Sequence, residues 1–170
     1  EKIDTREKKI VLTTGKTIRY DRLISTIPLP DLIECIRDVP EKIVKAKNAL
    51  KWTSLCLLNY KIDKKVLPAS SLWNYYYDAG IPFSRVFYMS RFSGTNAHPD
   101  HDTVQVEIPY SKNKPLTKEI RQINDEVIQI LSETERIDTE SIHFLGHFDI
   151  QYGYVIHDRA RSNSVKVIHD

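Results

Sequence analysis

The stretch that decides the fold runs from residue 69 to residue 110 and reads ASSLWNYYYDAGIPFSRVFYMSRFSGTNAHPDHDTVQVEIPY. It contains three alternating runs, Leu72–Asp78, Ser84–Phe92 and Thr103–Tyr110. Each is rich in aromatic or β-branched residues and bounded by Gly, Pro, Asn or Asp. That pattern predicts consecutive antiparallel strands. In the first run Trp73, Tyr75 and Tyr77 share one face, and Leu72, Asn74 and Tyr76 share the other. In the second, Arg85, Phe87, Met89 and Arg91 line one face against Val86, Tyr88, Ser90 and Phe92. In the third, Val104, Val106, Ile108 and Tyr110 fall on one side. A face carrying Trp, Tyr and two Arg offers more than a core needs, and it suits a flat or anionic ligand.

Working upstream, residues 8 to 27 read KKIVLTTGKTIRYDRLISTI. They predict a hairpin, with strands over Lys9–Thr13 and Thr17–Ile27 and a turn at Gly15, where a positive φ costs nothing. Glu1–Thr5 predicts a third, shorter strand. Pro30 opens a helix with Leu32, Ile33 and Ile36 as its apolar stripe, and Val39-Pro40 closes it. A second helix, Pro40–Leu50, buries Ile43, Ala46 and Leu50. Thr53–Asp63 predicts a strand covered on both sides, with Cys56, Leu58, Tyr60 and Ile62 on one face and Leu55 and Leu57 on the other.

Downstream of the three central runs, SKNKPLTK is a polar loop. The longest helix is predicted over Thr117–Arg136, where Ile120, Ile123, Val127, Ile130 and Leu131 recur at helical spacing. Ser141–Phe148 and Gly153–His157 predict two more strands, and Arg159–Ile168 a last helical segment. The expected class is α+β: a sheet of about six strands, antiparallel or mixed, with helices on one face, plus the N-terminal β-hairpin.

A chain of 170 residues buries a core without staples. An apolar fraction of 41% and a charged fraction of 28% describe a globular domain. The net charge of +2, spread along the chain, leaves no nucleic-acid footprint. No apolar run approaches the roughly 20 residues of a membrane helix. Cys35 and Cys56 sit in apolar surroundings and read as buried thiols of a reducing compartment, which points to the cytoplasm. The chain opens at Glu1, directly in strand-like sequence, so the expectation is a piece of a longer polypeptide.

Few residues offer chemistry by motif. His143 and His147 are four apart, but in a strand that spacing separates side chains by about 13 Å, too far for one metal ion. His98-Pro99-Asp100-His101-Asp102 has metal-friendly atoms and reads as a solvated turn. Neither cysteine has a neighbouring base, and the five glycines form no nucleotide-binding loop and no nucleophile elbow. Arg85 and Arg91 are six apart on one predicted strand face. They read either as solvated surface or as ligand contacts beside an aromatic strand. Trp73 reads as core or as ligand platform. Tyr152 and Tyr154, followed by Arg159 and Arg161, suit phosphate or carboxylate recognition, or else a solvated strand edge.

Tyr20-Asp21-Arg22-Leu23-Ile24-Ser25-Thr26-Ile27-Pro28 resembles the YD-x-VI-x-T-x-P segment of FAD-dependent amine oxidases, protoporphyrinogen oxidase-like proteins and UDP-galactopyranose mutases. In those proteins a strand pair precedes it, as Lys9–Ile18 does here. Ile81-Pro82-Phe83-Ser84-Arg85-Val86 resembles the P-Y-T-R-I stretch of the mutases, with Phe83-Ser84 in place of Tyr-Thr. Leu58-Asn59-Tyr60 and Tyr152–Asp158 resemble the later substrate-domain pattern.

The resemblance implies a substrate-binding domain of a flavin-dependent oxidoreductase or mutase-like enzyme. Residues 1–28 would be the edge of the flavin domain, 29–158 the substrate-binding domain, and 159–170 the start of a further helix. It implies that Arg85 contacts flavin or an anionic substrate, such as a nucleotide-sugar, in a pocket shaped by Trp73 and Tyr88. Those two fall on opposite pleat faces unless a bulge intervenes. Tyr154 would contact substrate, and Thr26 and Pro28 would pass near the flavin by backbone. The Gly-rich loop that cradles a dinucleotide pyrophosphate is not in this sequence, so FAD is expected in a full-length parent and these residues alone are expected to be inactive. Surfaces left uncovered are expected to favour self-association. Two other readings remain open on the residues: a non-enzymatic sugar or nucleotide-sugar binding module, and a protein-interaction domain.

Overall fold

The computed structural model describes residues 1–63 and 71–170, so Ala69 and Ser70 of the deciding stretch lie outside the described residues. Among the described residues there are eight strands and four α-helices, in two compact units. One unit is Glu1–Trp52 with Val155–Asp170, and the other is Thr53–Tyr154.

In the first unit, strands β1 (Lys2–Asp4), β2 (Lys9–Val11) and β3 (Thr17–Arg19) form an antiparallel sheet in that order, with Ile10 opposite both Ile3 and Ile18. Gly15 takes the positive φ, +81°, that its turn requires. The predicted strand to Ile27 stops at Arg19. Residues 21–28 are exposed, Ile24 by 91%, and no sheet partner holds them among the described residues. Helix α1 (Leu29–Cys35) starts behind Pro28, and α2 (Glu41–Asn48) starts behind Pro40, where a missing N–H costs nothing. Helix α4 (Arg161–His169) packs on α2. Lys51 pairs with Asp158 at 2.8 Å, beside a backbone bond from Ile156 to the Lys51 carbonyl.

The second unit is built on a sheet of β4 (Trp52–Asp63), β5 (Trp73–Tyr75), β6 (Arg85–Tyr88), β7 (His101–Tyr110) and β8 (Ile142–Val155). The strand order is β5-β6-β7-β4-β8. Among the described residues the sheet therefore has five strands, where about six were expected. The two strands predicted over Ser141–Phe148 and Gly153–His157 are one continuous strand. The polar residues Asp149 and Gln151 do not break it, because pairing with β4 carries the backbone through. The predicted Ser84–Phe92 strand is cut at Tyr88, and Met89–Arg91 turn as a 3-10 helix. Arg91 consequently leaves the face of Arg85, and its guanidinium lies 4.3 Å from the Tyr88 ring.

Helix α3 (Ile120–Glu135) starts three residues later than predicted, on a capping box between Glu119 and Gln122. Its stripe of Ile123, Val127 and Leu131 is buried against Cys56, Leu58, Tyr60, Val86, Tyr88, Val104, Val106 and Ile108 of the sheet. Three such side chains contribute about 1.5–3 kcal/mol each by leaving water. Among the described residues of this unit α3 is the helix on the sheet; α1, α2 and α4 belong to the other unit, so the expected layer of several helices reduces there to one. Cys56 lies in this core, where burial pushes its thiol up to about 11, the state of an inert structural cysteine. Among the described residues no helix is long and apolar enough to cross a membrane.

Candidate ligand-facing wall

Strand residues alternate between faces, so the positions between the core residues project from the side of the sheet opposite α3. Register then decides who meets whom. Tyr75, Arg85, Glu107 and Leu57 lie in one row across β5, β6, β7 and β4, and Trp73, Phe87, Gln105 and Asn59 lie in the next. From β8, Tyr154 reaches the first row.

Arg85 is the centre of the site. Its Nη2 donates to Glu107 Oε2 at 2.7 Å and also to the hydroxyl oxygen of Tyr154. Its Nη1 donates to the Tyr75 hydroxyl at 3.0 Å. The Tyr154 hydroxyl in turn donates to Glu107, with its oxygen 3.0 and 3.2 Å from the two carboxylate oxygens. The three groups form a closed triangle. Side-chain exposure is 17% for Arg85 and 6% for Glu107, so this ion pair is nearly dry. The guanidinium carbon sits 4.1 Å from the Phe87 ring centroid and 5.3 Å from that of Tyr75. Arg85 Nε is buried and finds no acceptor among the described residues.

The electrostatics follow from this packing. Burial works against the Arg85 charge, but the hydrogen bond and charge of Glu107 outweigh it and hold the guanidinium above its ordinary value. Burial, then the hydrogen bond to Glu107, pushes the Tyr154 hydroxyl upward. Near neutral pH the tyrosine keeps its proton, and the triangle carries one positive and one negative charge. The wall thus presents hydrogen-bond donors and aromatic surface with little net charge.

Around the triangle the wall is aromatic and open. Trp73, Tyr75, Tyr77, Phe92 and Tyr154 are all exposed. The Trp73 ring stacks on Phe92 at 6.0 Å and tilts against Phe87 at 6.3 Å, and Tyr75 stacks on Tyr77 at 6.1 Å. The structure brings Arg85, Trp73 and Tyr154 to one face. Tyr88 lies on the other pleat, as alternation requires; it is 1% exposed and receives a hydrogen bond from Asn74. Thr26 and Pro28 are exposed residues of the first unit, in the segment between β3 and α1. His143 and His147 both fall in β8 and contact different carboxylates, Asp63 at 3.2 Å and Asp149 at 3.8 Å.

Glu107 is the member of this cluster that pattern reading passes over. It sits at a polar position of a cleanly alternating strand, the ordinary place for a solvated residue. Only the cross-strand register with Arg85 shows that it is buried. Phe92 was predicted on the face of Val86, and the turn at Met89–Arg91 carries it round to Trp73.

No protein-family model matches the chain, and no curated protein matches it. Solved structures do. A crystal structure of reduced UDP-galactopyranose mutase superposes with a TM-score of 0.81 at 21% identity, over 98% of this chain and 36% of that one. A Pyrococcus furiosus protein superposes at 0.65 and 12% identity, over 90% of this chain and 36% of its own. A candidate protoporphyrinogen oxidase from Exiguobacterium sp. 255-15 superposes at 0.61 and 12% identity, over 84% of this chain and 31% of its own. At these identities the likeness establishes the fold. The chain has the fold of one part of UDP-galactopyranose mutase and protoporphyrinogen oxidase-like proteins, and it spans about a third of their length.

Proposed function

We propose that this chain is the substrate-facing part of a flavin-dependent enzyme, with the α3-free side of its sheet roofing a redox ring held by other residues of a longer protein. The observation that carries the reading is the Arg85–Glu107–Tyr154 triangle, nearly dry at its base and set in an open field of aromatic rings. The likeness in fold to UDP-galactopyranose mutase supports the reading.

The residues fit one side of a flavin site. Exposed aromatic planes beside a guanidinium suit a flat, hydrogen-bonding ring. The pyrophosphate cradle is not among them, since the five glycines form no phosphate loop. Thr26 and Pro28 would lie along the flavin by backbone, with residues 1–28 as the edge of the flavin domain, 29–158 as the substrate domain and 159–170 as the start of a further helix. The flavin, when bound, supplies the electron chemistry. This chain's residues orient and exclude water. Arg85 donates to the substrate, and the Tyr154 hydroxyl, whose one proton goes to Glu107, accepts from it; Glu107 holds both in place; Trp73 and Phe87 make the apolar floor, and Tyr88 shapes it from the covered face.

Charge matching refines the substrate. Because Glu107 already neutralises Arg85, the wall suits hydroxyl groups better than phosphates, and in a nucleotide-sugar it would meet the sugar ring. The protein would act in the cytoplasm on a small molecule. The exposed apolar residues of edge strand β8, Leu145 and Phe148 among them, favour self-association when left uncovered.

The test uses the protein encoded by the complete gene, loaded with FAD. Titration of UDP-galactose, followed by tryptophan fluorescence, should give a Kd at least tenfold weaker for Arg85→Ala, about 1.4 kcal/mol. An unchanged Kd removes Arg85 from the site.

A further inference from the structure

The inward pleat of β5 carries a buried polar cluster that the wall does not use. Asn74 and Tyr76 alternate along the chain with Trp73 and Tyr75, so what holds the first pair also holds the second. Both reach one carboxylate, that of Glu135, the last residue of α3, which is 4% exposed. Asn74 Nδ2 donates to Glu135 Oε1 at 3.3 Å, and the Tyr76 hydroxyl donates to the same oxygen. Asn74 Nδ2 also donates to the Tyr88 hydroxyl at 2.8 Å. The Tyr76 ring meets Phe83 edge-on at 5.0 Å.

A buried carboxylate is a costly way to fill this space, because an apolar side chain of similar volume would need no hydrogen bonds. What the carboxylate adds is geometry. β5 is three residues long and, among the described residues, lies at the sheet edge and pairs with β6 alone. A strand that short and one-sided opens readily unless something beneath it is fixed. Glu135 is carried on a fixed post. Arg136 caps the helix at φ +56°, Ser132 Oγ donates to the Ile137 carbonyl at 2.6 Å, and the Ile137 N–H donates to the Ser132 carbonyl at 3.0 Å.

We infer that Glu135 is a positioning residue for the wall: by holding Asn74 and Tyr76 from beneath, it sets Trp73 and Tyr75 on the opposite pleat, and through Tyr75 the guanidinium of Arg85. Burial, then the bond to Glu135, pushes Tyr76 up to about 12, so its hydroxyl stays a donor across the neutral range. The geometric claim stands by itself; its consequence for ligand binding rests on the functional reading above.

The test needs no ligand, so its failure is distinct from failure of that reading. Amide hydrogen exchange is followed by NMR at the Tyr76 and Tyr88 N–H groups, which bond to the Ser84 and Leu72 carbonyls and tie the β5 region to β6. Glu135→Leu removes the acceptor and should speed exchange there by about tenfold. Glu135→Gln keeps an acceptor oxygen and should stay near the parent. Val127→Ala weakens the same core without touching the cluster, and should lower global stability with no selective effect at these two amides. Equal exchange in the Leu and Gln variants overturns the inference, as does a selective effect of Val127→Ala equal to that of Glu135→Leu. Should Glu135→Leu not fold, Tyr76→Phe decides: selective acceleration at these amides supports the inference, and parent-like exchange overturns it.

Discussion

Replacing Glu107 by Leu tests how the wall holds its charge. The variant leaves Arg85 in place, with 17% of its side chain exposed, and removes its only charged partner among the described residues. Breaking a buried ion pair from one side costs roughly 3–5 kcal/mol when the remaining charge is trapped. Two features lower that figure here. The hydroxyls of Tyr75 and Tyr154 still accept from Arg85, and the open wall lets the guanidinium turn toward water. We therefore expect a loss of about 2–3 kcal/mol for Glu107→Leu. Removing both charges, as Arg85→Met with Glu107→Leu, leaves nothing unpaired and should cost about 1 kcal/mol or less. Arg85→Met alone strands the nearly buried Glu107 and should cost a similar amount, so the double-mutant cycle should show a coupling of roughly 3–5 kcal/mol. Urea unfolding of the four proteins supplies the numbers, with shifts in midpoint at constant slope. A loss below about 0.5 kcal/mol for Glu107→Leu, or strictly additive effects, would refute the picture of a dry, mutually dependent pair.

Other outcomes follow from the same packing. Tyr154→Phe deletes the hydroxyl that bridges Arg85 and Glu107, and should cost about 1 kcal/mol in urea unfolding, toward the low side because the ring is half exposed. Gly153→Ala would put a methyl 2.5 Å from Leu55 Cγ and 3.1 Å from the Thr53 carbonyl oxygen, and should destabilise by about 1–3 kcal/mol, whereas a neutral substitution would mean that β8 sits farther from β4 than described. Alkaline stability should decline early. Tyr76 titrates in the fold at about 12, above the ordinary tyrosine value near 10, so its contribution is complete below about pH 10 and is lost as pH rises toward 12. Tyr76→Phe should flatten that limb of the urea midpoint against pH, and an unaltered limb would place the loss elsewhere.

Much of the sheet was readable because alternation is a local property. The faces of Trp73 and Tyr75, of Arg85 and Phe87, and of the whole of β7 follow from period two alone, and the stripe of Ile123, Val127 and Leu131 follows from period 3.6. What alternation does not encode is the neighbour. Arg85 and Tyr154 are 69 residues apart in sequence and meet only because Glu107 bridges β6 toward β8 across β4. That meeting depends on strand order, which no single strand carries. The same gap hid Glu107, whose burial is a matter of register. The end of β6 at Tyr88 was missed for another reason: Met89-Ser90-Arg91 contains no glycine or proline, and Ser90 turns inward to donate to Asp102 at 2.6 Å. β8 reads as two strands because Asp149 and Gln151 look like a break. On an edge strand polar residues find water without leaving the ladder.

The most direct measurement is the visible absorption spectrum of the protein purified from its complete gene. Bound FAD is expected in stoichiometric amount, with a spectrum that shifts when Arg85 is replaced by Met. A folded protein that binds no flavin, or a flavin spectrum indifferent to Arg85, would contradict the proposed function.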